Sequence, residues 1–202
     1  MALWLSAHPL VLASRSTARR VMLAAAGIPT EPNPADLDER TLEARAASQT
    51  PAGVAVLLAR EKAAFVARAH PGRLVLGADQ TLALGAMRFA KPADRQAARA
   101  QLRALSGRSH ELHSAIAFVQ DGAVLFELTD SARLTMRSLS DHFLDLYLDA
   151  VGEAATASVG AYQLEGLGSH LFERVDGDYF TILGLPLIPA LDFLRRHGCL
   201  AS

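Results

Sequence analysis

The chain has 202 residues, half of them hydrophobic and a fifth charged, with a formal net charge of −1. That length fits a single domain, residues 1–202, with a sizeable core, and the near-zero balance excludes a global pull toward nucleic acid or anionic lipid, so any polyanion must be gripped locally. The lone cysteine, Cys199, excludes an internal disulfide and a Cys-based zinc site.

The N-terminal apolar run is short, lacks a leading basic stretch and is interrupted by His8-Pro9. No apolar run approaches membrane-spanning length. The expectation is a cytoplasmic protein in a reducing compartment, with no membrane and no nucleic acid among its partners. "LVLAS" (10–14) predicts a short buried strand, and "STARRVMLAAAGIP" a helix with Ser16 as N-cap, Gly27 as its stop and Pro29 just beyond. "PTEPNPADLDERT" reads as an irregular, acidic, Pro-rich loop. Residues 51–70 read as an amphipathic helix with Pro51 near its start. "RLVLGAD" (73–79) reads as a buried strand ending at Asp79, and a further helix runs from Asp94 to Ser106-Gly107. "HELHSAIAFVQDGAVLFELTDSARLTM" gives two strands joined at Asp121-Gly122, a strong hairpin signal. A helix capped by Ser140, a glycine-rich segment and a closing helix in "PLIPALDFLRRHG" complete the chain. The mix is α/β, with parallel crossovers and an antiparallel hairpin.

The first chemical signal is a misplaced charge. Cations are unfavourable at a helix N-terminus, yet Arg19 and Arg20 lie in the first turn of the helix beginning near Thr17. Free backbone N–H groups, the hydroxyls of Ser14 and Ser16, and forked arginine donors suit phosphate oxygens. Ordinary capping with solvated arginines is the bland counterpart. Asp79, just after a buried strand, is placed to take a proton from water, to hold a divalent metal, or simply to cap a turn. Lys62 lies mid-helix, and Lys91 precedes Pro92 on an extended backbone. Asp36, Asp38 and Glu39 in the acidic loop are oxygen ligands suited to Mg²⁺ or Mn²⁺ beside substrate phosphates, or a solvated acidic loop. His110 and His113 would face opposite sides of a strand, and the seven histidines form no metal-binding pattern. No Walker loop is present, and with no G-x-S-x-G elbow and no local nucleophile signature around Cys199, covalent catalysis is disfavoured.

In order along the chain these segments resemble the Maf family of nucleoside triphosphate pyrophosphatases, nearly end to end. "LASRSTARR" is similar to the family's Leu-Ala-Ser-x-Ser-x-x-Arg opening, "DER" to its acidic loop, "AREKA" to its helix lysine, "GAD" to its catalytic aspartate segment and "KP" to its second lysine. "LSGRSHELHSAIAF" resembles its Leu-Ser-Gly-x-x-His block, and "GAYQLEGLG" and "GDYFTILGLPL" its two C-terminal glycine motifs. The resemblance implies a two-lobed, ITPase-like fold: a mixed central sheet flanked by helices, with a cleft between lobes. It implies hydrolysis of a nucleoside triphosphate to the monophosphate and pyrophosphate with a divalent metal, Mg²⁺ or Mn²⁺. Asp79 matches the proton acceptor. Ser14, Arg19, Glu39, Lys62 and Lys91 match polar positions around the phosphates, with Glu39 and Asp79 as metal ligands and Ser16 beside them. Whether Asp79 is base, metal ligand or both stays open. Three positions track base preference in the family: Ala18, Gln80 and Glu165 here. Gln80 and Glu165 resemble the 7-methyl-GTP branch rather than the dTTP/UTP branch, while Ala18 matches neither. A homodimer is the family-level expectation, and a non-catalytic nucleotide-binding regulator of cell division is the alternative. On this reading Arg19→Ala weakens triphosphate binding and leaves folding stability unchanged or improved, since a cation leaves a helix N-terminus.

Overall fold

The computed structural model describes residues 3–46 and 49–202. In chain order the elements are β1 (Leu10–Ala13), α1 (Thr17–Ala25), β2 (Thr30–Pro32), α2 (Glu39–Arg45), α3 (Pro51–Ala67), β3 (Val75–Leu84), β4 (Met87–Phe89) and α4 (Arg95–Leu105). Then come β5 (Ser109–Gln120), β6 (Ala123–Met136), α5 (Asp141–Val151), three short 3₁₀ turns between Gly152 and Leu171, β7 (Phe172–Asp176), α6 (Tyr179–Ile182) and α7 (Leu187–Arg196). The result is an α/β fold built on a mixed sheet flanked by helices. The chain divides into two compact units: Met1–Gln80, His113–Asp130 and Tyr179–Ser202 in the first, Thr81–Leu112 and Ser131–Asp178 in the second.

In the first unit β1 pairs in parallel with β2, Leu10 opposite Thr30, and with β3, Val11 opposite Val75. All four residues of β1 are buried, as a parallel strand covered on both faces requires. Side chains alternate across a strand, and the core divides accordingly. Leu10, Leu12, Leu76, Ile116 and Phe118 pack with Leu23 of α1 and with Phe193 and Leu194 of α7. Val11, Ala13, Val75, Ala115 and Ala117 pack with Ala55, Ala59 and Ala63 of α3. The α3 face is built from small residues, so that helix lies very close to the sheet: a Cβ on Gly77 would stand 2.0 Å from the Ala59 carbonyl oxygen.

In the second unit the far end of β3 turns through Gly85, at φ +60°, into β4, pairing Leu82 with Phe89. β6 pairs antiparallel with β7, Leu134 opposite Val175. Ala98, Leu102 and Leu105, spaced on one stripe of α4, are buried. Arg99 and Arg103 on its outer face reach Asp141 and Asp145 of α5. The β5–β6 turn is the Asp121-Gly122 turn expected from sequence, with φ +50° and +80°, the left-handed pair that a two-residue hairpin needs.

Ser16 and Ser140 cap their helices as read from sequence, and Asp94, read as the start of a helix, is the N-cap of α4. Pro186 and Pro189 are tolerated because they fall at the N-cap and first turn of α7, where no helical N–H partner is lost. Two readings are corrected. The strand read as ending at Asp79 continues to Leu84, because Thr81–Ala83 are themselves buried and the true turn is at Gly85. The acidic stretch read as wholly irregular holds β2 and then α2, started by Asp38, whose Oδ1 accepts from the Thr41 backbone N–H at 3.1 Å. Among the described residues no helix is long and apolar enough to cross a membrane.

Candidate active site

Strand parity aims the key carboxylate. Val75 and Gly77 face α3, so Asp79, two residues on, faces the same helix. On α3, Lys62 follows Ala55 and Ala59 along the stripe that meets the sheet. The two side chains meet: Lys62 Nζ donates to Asp79 Oδ1 at 2.6 Å. The same ammonium pairs with Glu39 Oε1 at 3.0 Å, from the first turn of α2. Asp79 and Lys62 are 8% and 9% exposed, while Glu39 is about half exposed.

Arg19 approaches from α1 on the other face of the sheet. It too is buried, and its guanidinium is heavily used: Nε donates to the Gly184 carbonyl oxygen at 2.7 Å, and one terminal nitrogen donates to Ala78 O at 2.8 Å and Ser14 Oγ at 3.0 Å. This gives a second reason for an arginine in the first turn of a helix. It satisfies the carbonyls of Ala78, within β3, and of Gly184, as well as bringing positive charge to Asp79. The expectation that the fold is indifferent to losing Arg19, or gains from it, is therefore revised: truncation strands two carbonyl acceptors. Burial lowers the Arg19 pKa, with Asp79 and Glu39 drawing it back up. Burial also lifts the Asp79 carboxyl above its ordinary range, against the pull of Lys62 and Arg19. Burying an ion cluster is a poor way to gain stability. A carboxylate so perturbed, with named charge partners, is the signature of a functional site.

Ser14 and Ser16 serve the turn itself. Ser14 Oγ accepts from the Ser16 N–H at 3.3 Å, and Ser16 Oγ from the Arg19 N–H at 3.4 Å. Beside them a cavity of about 220 Å³ is lined by Ser14, Arg15, Ser16, Arg20, Pro32 and Pro34. Arg20, which the family resemblance did not match to a phosphate position, lines this cavity, as does Arg15. The signal was available: Arg20 shares the unfavourable first-turn position that singled out Arg19.

Gln80, of opposite parity to Asp79, donates through Nε2 to Ser114 Oγ at 2.9 Å and to the carbonyls of Thr181 and Ile182 at 3.2 and 3.0 Å. Ser114 Oγ also donates to Thr181 O, and Thr181 Oγ1 to Asp130 Oδ2, each at 2.7 Å. Ser114 and Thr181 lie inside two of the blocks read from sequence but were not singled out there, nor was Asp130, since their partners lie far along the chain. Ala18 is half-buried on α1. Lys91 and Glu165 belong to the second unit, both exposed, Lys91 on the loop after β4 and Glu165 between two 3₁₀ turns. Asp38 is spent on capping α2, and its carboxyl is held below the usual range chiefly by the Thr41 hydroxyl. Asp36 is exposed.

Glu39 and Asp79 bear on the metal question directly. Both carboxylates already converge on one cation, the Lys62 ammonium. Among the described residues no three His, Cys, Asp or Glu gather as a complete metal cage. Two hard oxygen donors with the remaining positions left to water and phosphate is how Mg²⁺ is commonly held, so these residues fit a divalent cation.

Fold and site together define an α/β protein with a buried lysine–carboxylate cluster just past the parallel pairing of β1 with β3, and an arginine-lined cavity at the β1–α1 turn. The chain belongs to the Maf-like protein family, whose model matches residues 9–197. It is 60% identical over 201 residues to a nucleoside triphosphate pyrophosphatase of Rhodopseudomonas palustris (strain CGA009), covering all of both chains. It is 55% identical over 201 residues to a protein of the same name from Bradyrhizobium diazoefficiens, again over the whole of both. It is 54% identical to another from Paramagnetospirillum magneticum, over 93% of this chain and 98% of that one.

Proposed function

We propose that this chain hydrolyses nucleoside triphosphates to the monophosphate and pyrophosphate, with Asp79 as the group that readies the water. The chain is an enzyme of the nucleoside triphosphate pyrophosphatase class, in keeping with full-length relatives that carry that name. The observation that carries the assignment of roles is the Lys62 ammonium bound to Asp79 at 2.6 Å in a buried setting. A carboxylate whose pKa is lifted by burial is a better proton acceptor near neutrality than an ordinary one. Water attacks the α-phosphorus, its proton passes to Asp79, and the α–β bond breaks with pyrophosphate leaving.

The charge that develops on pyrophosphate needs fixed cations. Lys62, Arg19 and the exposed Lys91 supply them, and Arg15, Arg20, Ser14, Ser16 and the α1 N–H groups offer donors to the phosphate tail. Glu39 and Asp79 would hold Mg²⁺ or Mn²⁺, which when bound supplies further neutralisation of polyphosphate charge. Glu165 is the candidate to accept hydrogen bonds from a guanine edge. With Gln80 it favours the 7-methyl-GTP type of substrate, whereas Ala18 offers no aromatic face to stack on a cationic base.

Asp79→Asn is the direct test. Pyrophosphate release should fall by at least about a hundredfold, the usual worth of a general base, while the circular dichroism spectrum and nucleotide binding persist. Unchanged turnover would overturn the role of Asp79. Nucleotide binding by the wild-type chain with no pyrophosphate release, with Mg²⁺ or Mn²⁺ present, would leave a regulator instead of an enzyme. A panel of normal and methylated triphosphates decides the base.

A further inference from the structure

The histidine of the "LSGRSHELH" block has no part in the chemistry above, yet its setting in the second unit is unusual. His110, near the start of β5, is 1% exposed. Its Nε2 lies 2.7 Å from the Tyr162 hydroxyl, and its ring packs 5.7 and 5.9 Å from the rings of Tyr162 and Phe172. Tyr162 is buried and meets Phe172 edge-on at 4.9 Å. Among the described residues His110 Nδ1 has no hydrogen-bond partner. A buried polar atom without a partner is costly, and a leucine would fill the space without that cost. The imidazole brings one thing a leucine lacks, the bond to Tyr162.

Tyr162 stands at the entry to the "QLEG" segment. Just before it, Gly160 and Ala161 both hold positive φ, +79° and +61°. Four other contacts fix the same stretch. Gln101 Oε1 accepts from the Gly160 N–H at 3.1 Å, and the Tyr147 hydroxyl donates to Ala161 O at 3.2 Å. Ser158 Oγ donates to Tyr162 O at 2.6 Å, and Gly168 folds back so closely that a Cβ there would stand 2.3 Å from Gln163 O. The exposed side chains that follow are Gln163 and Glu165. A non-glycine residue at positive φ is held only by surroundings that over-determine it, and the His110–Tyr162 bond is the one side-chain-to-side-chain tie in this set.

We propose that His110 is a positioning residue for nucleotide recognition: through the Tyr162 hydroxyl it fixes the Gln163–Glu165 segment and so the carboxylate that meets the base. The inference rests on the reading of Glu165 given above. It places base selectivity partly in a buried contact that touches no substrate.

The experiment compares His110→Leu, His110→Gln, Tyr162→Phe and Glu165→Ala with the wild type. It follows pyrophosphate release from GTP, 7-methyl-GTP, UTP and dTTP, together with thermal unfolding. Loss of one positioning hydrogen bond predicts a KM about tenfold higher for the preferred base in His110→Leu and Tyr162→Phe. Discrimination between bases should narrow, with kcat largely kept, and His110→Gln should restore most of the loss through its own side-chain amide. Tyr162→Phe keeps the ring and removes only the hydroxyl, so it decides the matter if His110→Leu fails to fold. Unchanged KM and selectivity in folded Tyr162→Phe would overturn the proposal, as would a drop in melting temperature without a kinetic effect. If Glu165→Ala alters selectivity while Tyr162→Phe does not, the role of Glu165 stands and that of His110 falls. If Glu165→Ala changes nothing, the reading of Glu165 fails, and the proposal with it.

Discussion

Arg19 donates to the carbonyl oxygens of Ala78 and Gly184, both buried residues. Arg19→Ala strands two acceptors and should lower unfolding free energy by about 1–3 kcal/mol, the cost of leaving such groups unpaired. Urea denaturation checks this, and triphosphate affinity should fall in the same variant. Stability equal to wild type would mean that water reaches those carbonyls after truncation. Lysine is no substitute, since one ammonium cannot reproduce the planar fork that spans Gly184 and Ala78. His110 makes a second prediction at this scale. Burial pushes its pKa from the ordinary 6.5 down to about 4. The unfolded chain takes up a proton between those values that the folded chain refuses. The stabilisation is therefore whole above pH 6.5, is lost progressively as pH falls toward 4, and does not change further below that. The gap corresponds to about 3 kcal/mol. Between pH 7 and about pH 4.5 the urea midpoint of the wild type should fall by more than that of His110→Leu, which has no imidazole to protonate. Parallel pH profiles in the two proteins would assign that sensitivity to other groups.

At the scale of elements, the α3–β3 packing decides whether the ion cluster can exist. Gly77 faces the backbone of α3, and an added Cβ would meet Ala59 O at 2.0 Å and Ala63 N at 2.8 Å. Neither atom can swing aside as a side chain could. Gly77→Ala must push α3 off the sheet, at a cost of about 1–3 kcal/mol or more for overpacking, and it draws Lys62 away from Asp79. Calorimetry and pyrophosphate release should both decline, whereas retained activity with a lowered melting temperature would show that the cluster tolerates the shift. The same packing marks what the sequence made legible. Helices with local caps, at Ser16 and Ser140, could be read directly, because cap and helix are neighbours in the chain. So could the Asp121-Gly122 turn. Asp79 was misread as a strand terminus because its partner, Lys62, lies seventeen residues away on another element, and a buried charge looks like a turn until that partner is known. Helix α2 was hidden for the opposite reason: its capping aspartate sat among prolines and acids that read as loop. The residues around Asp79 were legible as motifs, but the bonds that hold Gln80 and Arg19 to the Thr181–Gly184 turn join positions a hundred or more residues apart and leave no local trace.

For the whole molecule, the division into two units falls inside three strands. It cuts β3 after Gln80, β5 after Leu112 and β6 after Asp130, and its fourth boundary follows Asp178, between β7 and α6. Independent domains are usually joined by exposed linkers rich in glycine, proline or polar residues, across which few contacts run. Here three of the four boundaries are uninterrupted strand backbone, and two of those three lie on the hairpin formed by β5 and β6. A strand cannot lose its order in one half without loosening the hydrogen-bonded ladder in the other. Both units should therefore melt together in one cooperative transition. The chain supplies its own probes. Its single tryptophan, Trp4, lies in the first unit, held by a bond from its indole N–H to His8 O at 3.1 Å, whereas far-ultraviolet circular dichroism also reports α4 and α5 of the second. Urea titrations followed by the two signals should superimpose, with equal midpoints and slopes. A tryptophan transition displaced from the dichroism curve would mean that the second unit, with its exposed Arg99–Asp145 and Arg103–Asp141 pairs, holds or loses its structure separately. Adding Mg²⁺ and a slowly hydrolysed triphosphate analogue should then shift both curves by the same increment, since a ligand that binds only the folded chain stabilises every part that unfolds with its site.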